Sequence, residues 1–250
     1  IDPMTLGLDL EEARKLISPK TKAIVLVHYG GVPANPEGFY RLAQDHSLLL
    51  IEDNAHGLGG ASSGKMLGTF GAMSTLSFHE TKNITCGEGG ALVINDPQYV
   101  ERAEILREKG TDRTRFFRGQ VDKYTWQDLG SSWILSDILA AILLAQLQNF
   151  DAIQERRTRL WDLYLSELSD WAGSNEVGLA KEKTGTAHLF YLLLKNSQLR
   201  TNFIDHLRRA HIGAVFHYQS LHLSPFGAKY NMDGKFPVTE KIAGSLVRMP

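Results

Sequence analysis

The sequence predicts an α/β fold: a mostly parallel sheet in a large first domain, then a small α+β domain. Three observations carry that expectation. Two continuous apolar runs, "KAIVLVHY" (22–29) and "SLLLIED" (47–53), read as strands of a buried parallel sheet. A helical segment near 37–46 lies between them, giving the strand–helix–strand alternation of such a sheet. After a long amphipathic helix at 151–170, shorter strands and helices alternate to the end of the chain.

Each element has a local cause. Asp9 is placed to cap a helix over 10–17, with Glu12 completing a capping box. "GGVPANPEG" breaks the chain before the helix at 37–46. "MSTLSF" (73–78) and "GALVIN" (90–95) are two further short strands, followed by a helix at about 98–109. Residues 110–133 form a long polar and aromatic loop, and 136–150 a strongly apolar helix suited to core or to a dimer surface. Composition shifts near 171–186. Beyond it a strand (188–194), a helix (199–210), a short strand (213–217) and a helix (238–247) are expected. The domains are accordingly placed at 1–155 and 156–250, the second beginning in the linking helix. The start at Ile1 and the stop at "VRMP" read as those of a piece of a longer protein.

Composition narrows the function. A net charge of −1 over 250 residues gives no field favouring nucleic acid or an anionic membrane. No apolar stretch approaches the roughly 18 residues of a membrane span. One cysteine, Cys86, permits no internal disulfide and fits a reducing, cytoplasmic setting.

The chemistry-bearing residues cluster between 53 and 82. Asp53 ends a buried strand, where open α/β sheets bind ligands; a helix cap is the plainer reading. His56 follows three residues later. Gly59, Gly64 and Lys65 nearly spell a phosphate-binding P-loop, but Met66 stands where Ser or Thr would hold Mg²⁺, and no helix pattern follows. His28, His56 and His79 match no compact metal-ligand spacing. Lys82 lies between an apolar strand and the glycine cluster 87–90. A lysine against apolar walls loses proton affinity and becomes nucleophilic toward carbonyls. Pyridoxal phosphate is the carbonyl cofactor that uses such a lysine, and it requires an acid at its ring nitrogen, as Asp53 could supply.

"IEDNAHG" and "GTFGAMSTLSFHETKNITCGEGGALVIND" resemble the DegT/DnrJ/StrS-type sugar aminotransferases, which are fold-type I pyridoxal phosphate enzymes. "VHYGGVPA", "RAEILREKGTDRTRFFRGQVDKYTWQDLGSS" and "AVFHY" extend the likeness over nearly the whole chain. The resemblance implies that Lys82 holds the cofactor's aldehyde, Asp53 bonds its pyridine nitrogen, His56 lies near its phenolic oxygen and Ser77 helps hold its phosphate. It implies glutamate and a nucleotide-linked keto sugar as substrates. The middle stretch is most similar to members that aminate dTDP-4-keto-6-deoxyglucose to the 4-amino-4,6-dideoxygalactose product. A lysine at 82, where related dehydratases carry histidine, favours transamination.

His79 and Glu80 flank the site, and Arg118, Gln120, Lys123 and Tyr124 are candidates for the nucleotide sugar. Ser132 and Ile134 stand where relatives carry Asn and Arg, the Asn reaching the phosphate from a partner subunit. A homodimer follows from the resemblance. So does the expectation that segments at both ends are lacking, including the Ser/Thr-rich phosphate cup and the ring that stacks on the cofactor. Two other readings stand beside it: a cofactor-poor binding or assembly module, and a P-loop nucleotide binder.

Overall fold

A computed structural model describes residues 1–180, 186–230 and 235–250. The first helix, α1 (Leu10–Leu16), starts where Asp9 accepts the Glu12 amide at 2.8 Å, so the cap read from the sequence forms. Strand β1 (Ala23–Val27) leads to α2 (Pro36–Asp45), which Asn35 caps through the Gly38 amide. β2 (Leu49–Asp53) then lies parallel to β1, with Val27 opposite Asp53.

A small hairpin follows, β3 (Ala61–Ser62) and β4 (Lys65–Met66), turning through Ser63 and Gly64 at positive φ. This removes the P-loop reading. Gly59–Lys65 leads into a two-stranded ribbon and not into a helix, and Lys65 rests over the Phe70 ring.

β5 (Met73–Ser77) runs parallel to β2, and β6 (Gly90–Ile94) antiparallel to β5, giving a four-stranded sheet ordered β1-β2-β5-β6. Ile24, Leu26, Phe39, Leu42 and Leu50 pack together where α2 covers one face. The sequence reading of β1 as buried on both faces needs correction. Val25 and Val27 alternate with the buried Ile24 and Leu26 and are exposed, because the packed helix lies on one side only among the described residues.

α3 (Val100–Arg107), α4 (Arg113–Phe117), α5 (Asp137–Gln148) and α6 (Phe150–Asn175) come next. α5 has Ser136 as its cap, and its Leu139 and Leu143 lean on buried Phe78, Ile84 and Cys86. The expected boundary at 155/156 falls inside α6. That helix ends at Glu176, in the left-handed conformation that commonly stops helices.

A second sheet follows: β7 (Gly178–Leu179), β8 (Tyr191–Leu193), α7 (Ser197–Arg209), β9 (Val215–Phe216), α8 (Pro237–Ser245) and β10 (Leu246–Arg248). Its order is β7-β8-β10-β9, all pairs antiparallel. The core around it joins Trp161 of α6, Phe190, Leu192, Ile204 and Val247. The helix expected at 238–247 is cut short. Leu246 and Val247 leave α8 and pair with Leu193 and Leu192, since the extended backbone places both in the core beside β8. Part of the 171–186 composition shift, residues 181–185, lies outside the described residues.

Candidate functional site

The site begins with two adjacent acids at the end of β2 that face opposite ways. Glu52 is fully buried. It accepts backbone N–H bonds from Gly68, Phe70 and Gly71, each at 2.7 Å, and a fourth bond from His28 Nε2 at 3.1 Å. Burial alone would raise its pKa, but the bonds from His28, Gly71 and Gly68 outweigh it and hold the carboxyl below its ordinary value. His28 Nδ1 accepts the Ala34 amide, so the neutral ring carries its proton on Nε2. His28, weighed as a metal ligand in the sequence, is therefore a buried structural partner of Glu52. Among the described residues no group of three His, Cys, Asp or Glu converges as metal ligands.

Asp53 projects to the other side. One of its oxygens accepts the Ala55 amide at 3.1 Å, which orients the carboxylate at the strand end. Its negative charge reaches Lys82 and raises that amine's proton affinity, against the larger opposing effect of burial and a smaller one from Arg248. The outcome is a half-buried lysine whose pKa is lowered. The structure thus brings Asp53 and Lys82, 29 positions apart in sequence, into one electrostatic site.

The β5–β6 connection holds Lys82 in a pinned turn. The Phe78 amide bonds the Gly89 carbonyl, the Cys86 amide the Phe78 carbonyl, and the Lys82 amide the His79 carbonyl. Ile84 and Cys86 are buried beneath it. Asn83 ties the turn to distant chain: its amide donates to Gln154 Oε1 and the Thr186 carbonyl, and its Oδ1 faces His188 Nδ1 at 2.7 Å. His188 consequently carries its proton on Nδ1.

Four rings gather beside this turn. His56 stacks on His188 with centroids 4.2 Å apart, and Tyr29 meets His56 edge-on at 5.9 Å. The Tyr29 hydroxyl bonds His217 Nδ1 at 2.5 Å. His56 Nδ1 accepts the Gly30 amide at 3.1 Å, which leaves its Nε2–H available to a ligand. Burial is the leading cause that depresses all three histidines, His56 to about 3 and His217 to about 4, with Lys82 and Arg248 adding repulsion. Burial also raises the Tyr29 pKa, so the phenol keeps its proton and donates it to His217. The site is a neutral, ring-lined enclosure around one amine, one carboxylate and one guanidinium.

The remaining predicted residues divide. Ser77 lies in β5 opposite Gly90, and its Oγ accepts the His79 amide at 3.4 Å. His79 Nδ1 is engaged by Thr81, and Glu80 is exposed. Lys123 and Tyr124 are exposed, and Tyr124 packs against Phe116 and Arg113 of α4. Arg118 forms a two-pronged pair with Glu104 of α3. The described bonds and ring contacts of this loop thus run to α3, α4 and itself. Ser132 bridges Glu108 through its backbone, and Ile134 is exposed.

Sequence reasoning missed Glu52, Asn83, His188 and Arg248, and assigned no role to Tyr29 or to the histidine of "AVFHY". "LLLIED" and "HETKN" did carry a signal, since each places a second polar residue beside the one singled out.

The family model for DegT/DnrJ/EryC1/StrS aminotransferases matches residues 1–250, the whole chain. The chain belongs to that family. An uncharacterised protein of Methanocaldococcus jannaschii is 33% identical over 258 residues, covering 100% of this chain and 67% of the relative. The dTDP-3-amino-3,4,6-trideoxy-α-D-glucose transaminase of Streptomyces venezuelae is 31% identical over 246 residues, covering 97% of this chain and 62% of the relative. The crystal structure of S. venezuelae DesV, in complex with a ketimine intermediate, shares 31% identity at a TM-score of 0.87, covering 100% of this chain and 65% of that one. The chain thus spans about two thirds of the length of these relatives. Its fold is that of the fold-type I enzymes, and the family depends on pyridoxal phosphate.

The residues present fit that cofactor. An amine of lowered pKa, a carboxylate within electrostatic reach of it and a neutral imidazole with a free N–H are the donor set it needs.

Proposed function

We propose that this chain carries the catalytic centre of a pyridoxal phosphate-dependent aminotransferase acting on a nucleotide-linked keto sugar. The observation that carries the reading is Lys82: a half-buried amine of lowered pKa, in a pinned turn and within electrostatic reach of Asp53. Lys82 would hold the cofactor, Asp53 would face its ring nitrogen, His56 Nε2–H its phenolic oxygen, and Ser77 its phosphate. When bound, pyridoxal phosphate supplies an aldehyde that captures amines and a protonated ring that withdraws electrons from the substrate's reacting carbon.

The chain's own residues do the rest. Burial leaves a larger share of Lys82 unprotonated near neutral pH than in a solvated lysine, which suits Nζ to attack a carbonyl and then to carry a proton at the reacting carbon. The Asn83 bonds and buried Ile84 fix the backbone of the turn from which Lys82 extends. Asp53, by its negative charge, would hold a proton on the ring nitrogen of the bound cofactor. The stacked histidines exclude water while contributing no competing charge.

The finer reading is that glutamate donates the amino group and dTDP-4-keto-6-deoxyglucose receives it, giving dTDP-4-amino-4,6-dideoxygalactose. The resemblance of the 102–132 stretch supports it, while Lys82, where dehydratases have histidine, supports transamination in general. A homodimer is part of the proposal, supported by the exposed Ile138 and Leu144 of α5 beside exposed Trp133. No helix among the described residues is long and apolar enough to cross a membrane, and a cytoplasmic location is proposed with the rest.

The experiment supplies the protein with pyridoxal phosphate, glutamate and dTDP-4-keto-6-deoxyglucose and identifies the product by mass and NMR. A 4-amino product in the galacto configuration, absent with Lys82→Ala, is expected. A different amino sugar would overturn the finer reading, and wild-type turnover by Lys82→Ala the role of the lysine.

A further inference from the structure

One short loop after β1 meets two of the ring-cluster histidines. The Tyr29 hydroxyl bonds His217 Nδ1 at 2.5 Å, and the Gly30 amide bonds His56 Nδ1 at 3.1 Å. The loop is fixed on both sides. Before Tyr29, His28 is fully buried and bonded to Glu52. After it, Gly31 has a positive φ and lies so close to Thr186 that a Cβ there would fall 1.9 Å from Thr186 Oγ1. The Val32 amide closes the turn on the Tyr29 carbonyl.

His217 follows β9, 188 positions from Tyr29. Its ring is tilted 21° from that of His56, with centroids 6.3 Å apart. Burial first, then Arg248 and Lys82, lower its pKa to about 4, so the imidazole is neutral at pH 7. A neutral imidazole has one donor nitrogen and one acceptor. The Tyr29 O–H occupies Nδ1, so the proton of His217 lies on Nε2, which bonds no described residue. His56 is in the same state. His188 is the reverse: its Nδ1 donates to Asn83, and its Nε2 is an acceptor. Two neutral donors and an acceptor match the hydroxyls of a sugar, which give and take hydrogen bonds; a carboxylate only takes them.

The choice of a phenol matters. A carboxylate in place of Tyr29 would bond Nδ1–H, favour the charged ring and set a second cation near Lys82. The phenol, its pKa raised by burial, gives a hydrogen bond and no charge.

We propose that Tyr29 is a positioning residue that holds His217 with its Nε2–H as a neutral donor to an oxygen of the keto sugar. The inference rests on the aminotransferase reading and extends it to the loop between β1 and α2. Tyr29 acts through His217, and the same loop sets the proton of His56 through the Gly30 amide.

Tyr29→Phe removes the hydroxyl and keeps the ring that packs against His56 and His217. Nitrogen NMR of isotope-labelled histidine side chains reads the tautomer in protein free of pyridoxal phosphate, with His217 assigned by the signal lost in His217→Gln. One Nε2–H form is expected in wild type and a mixture of both tautomers in Tyr29→Phe. In the loaded enzyme Tyr29→Phe raises the KM for the sugar roughly threefold to tenfold, the worth of one neutral hydrogen bond, and leaves the KM for glutamate unchanged. His217→Gln offers an amide donor that needs no tautomer set, so adding Tyr29→Phe to it costs nothing further. An Nδ1–H form in wild type, a tautomer unchanged by Tyr29→Phe, an equal rise in both KM values, or additive losses in the double variant overturns the positioning role. Failure to take up pyridoxal phosphate, with the tautomer change intact, overturns the aminotransferase reading and leaves the Tyr29 control of His217 standing.

Discussion

Glu52→Gln is the substitution whose cost the structure specifies most closely. The two carboxylate oxygens divide four donors between them. Oε1 takes the Gly68 amide and His28 Nε2, and Oε2 takes the amides of Phe70 and Gly71. Glutamine replaces one oxygen by an NH₂ group, so either orientation leaves two buried donors facing a donor. Each unsatisfied group costs about 1–3 kcal/mol, giving a loss of about 2–6 kcal/mol. That is a large part of the 5–15 kcal/mol typical of a domain. Urea unfolding of wild type and variant measures it directly.

The pH dependence supplies a second reading of the same pair. The folded pKa of Glu52 is lowered, so its contribution is complete above the unfolded value of about 4.5 and is lost as pH falls through the folded pKa. The stability gap between wild type and Glu52→Gln should therefore narrow on acidification. A loss under 1 kcal/mol at pH 7, or a gap that does not change with pH, would refute the assignment of Glu52 as the carboxylate hub of the 67–71 loop.

Other consequences follow from the ring cluster and the turn. Asn83→Ala removes three contacts that tether the Lys82 turn, and the cofactor should dissociate at least tenfold faster while the unloaded protein stays folded; wild-type release rates would count against the tether. His56, His188 and His217 have depressed folded pKa values, so the unfolded chain binds more protons below the ordinary histidine value of about 6.5. Stability should fall as pH drops from 6.5 toward 4, with a shallower slope in His188→Gln, which calorimetric melts across that range would show. Trapping of pyridoxal phosphate by Lys82 should quicken as pH rises through its lowered pKa, reaching its plateau below the pH of a free-lysine model amine. A stopped-flow profile matching the model amine would contradict the desolvated setting.

Much of the fold was legible because its causes are local. Asp9 caps α1 as its side chain and the pattern after it indicated, and β2 ends at Asp53 as its apolar run indicated. β10 was not legible. "LVR" is too short for a period, and only its pairing with β8, more than fifty residues away, makes it a strand. The site shows the same divide. Lys82 and Asp53 stand out as an amine and an acid at the ends of apolar runs.

Asn83 and His188 meet across 105 positions, and Tyr29 and His217 across 188, so nothing near either residue announces the partner. Glu52 was masked by its neighbour. Strand alternation alone would have sent it to the face opposite Asp53, where a buried carboxylate must find several donors.

The central claim concerns one amine. The most direct measurement is to load the protein with pyridoxal phosphate, reduce with borohydride, digest, and map the pyridoxyl label by mass spectrometry. The account predicts stoichiometric label on the peptide carrying Lys82, with Asp53→Asn still labelled there but slow in amino transfer. Label spread over surface lysines such as Lys65 and Lys109, unchanged by Lys82→Ala, would contradict it.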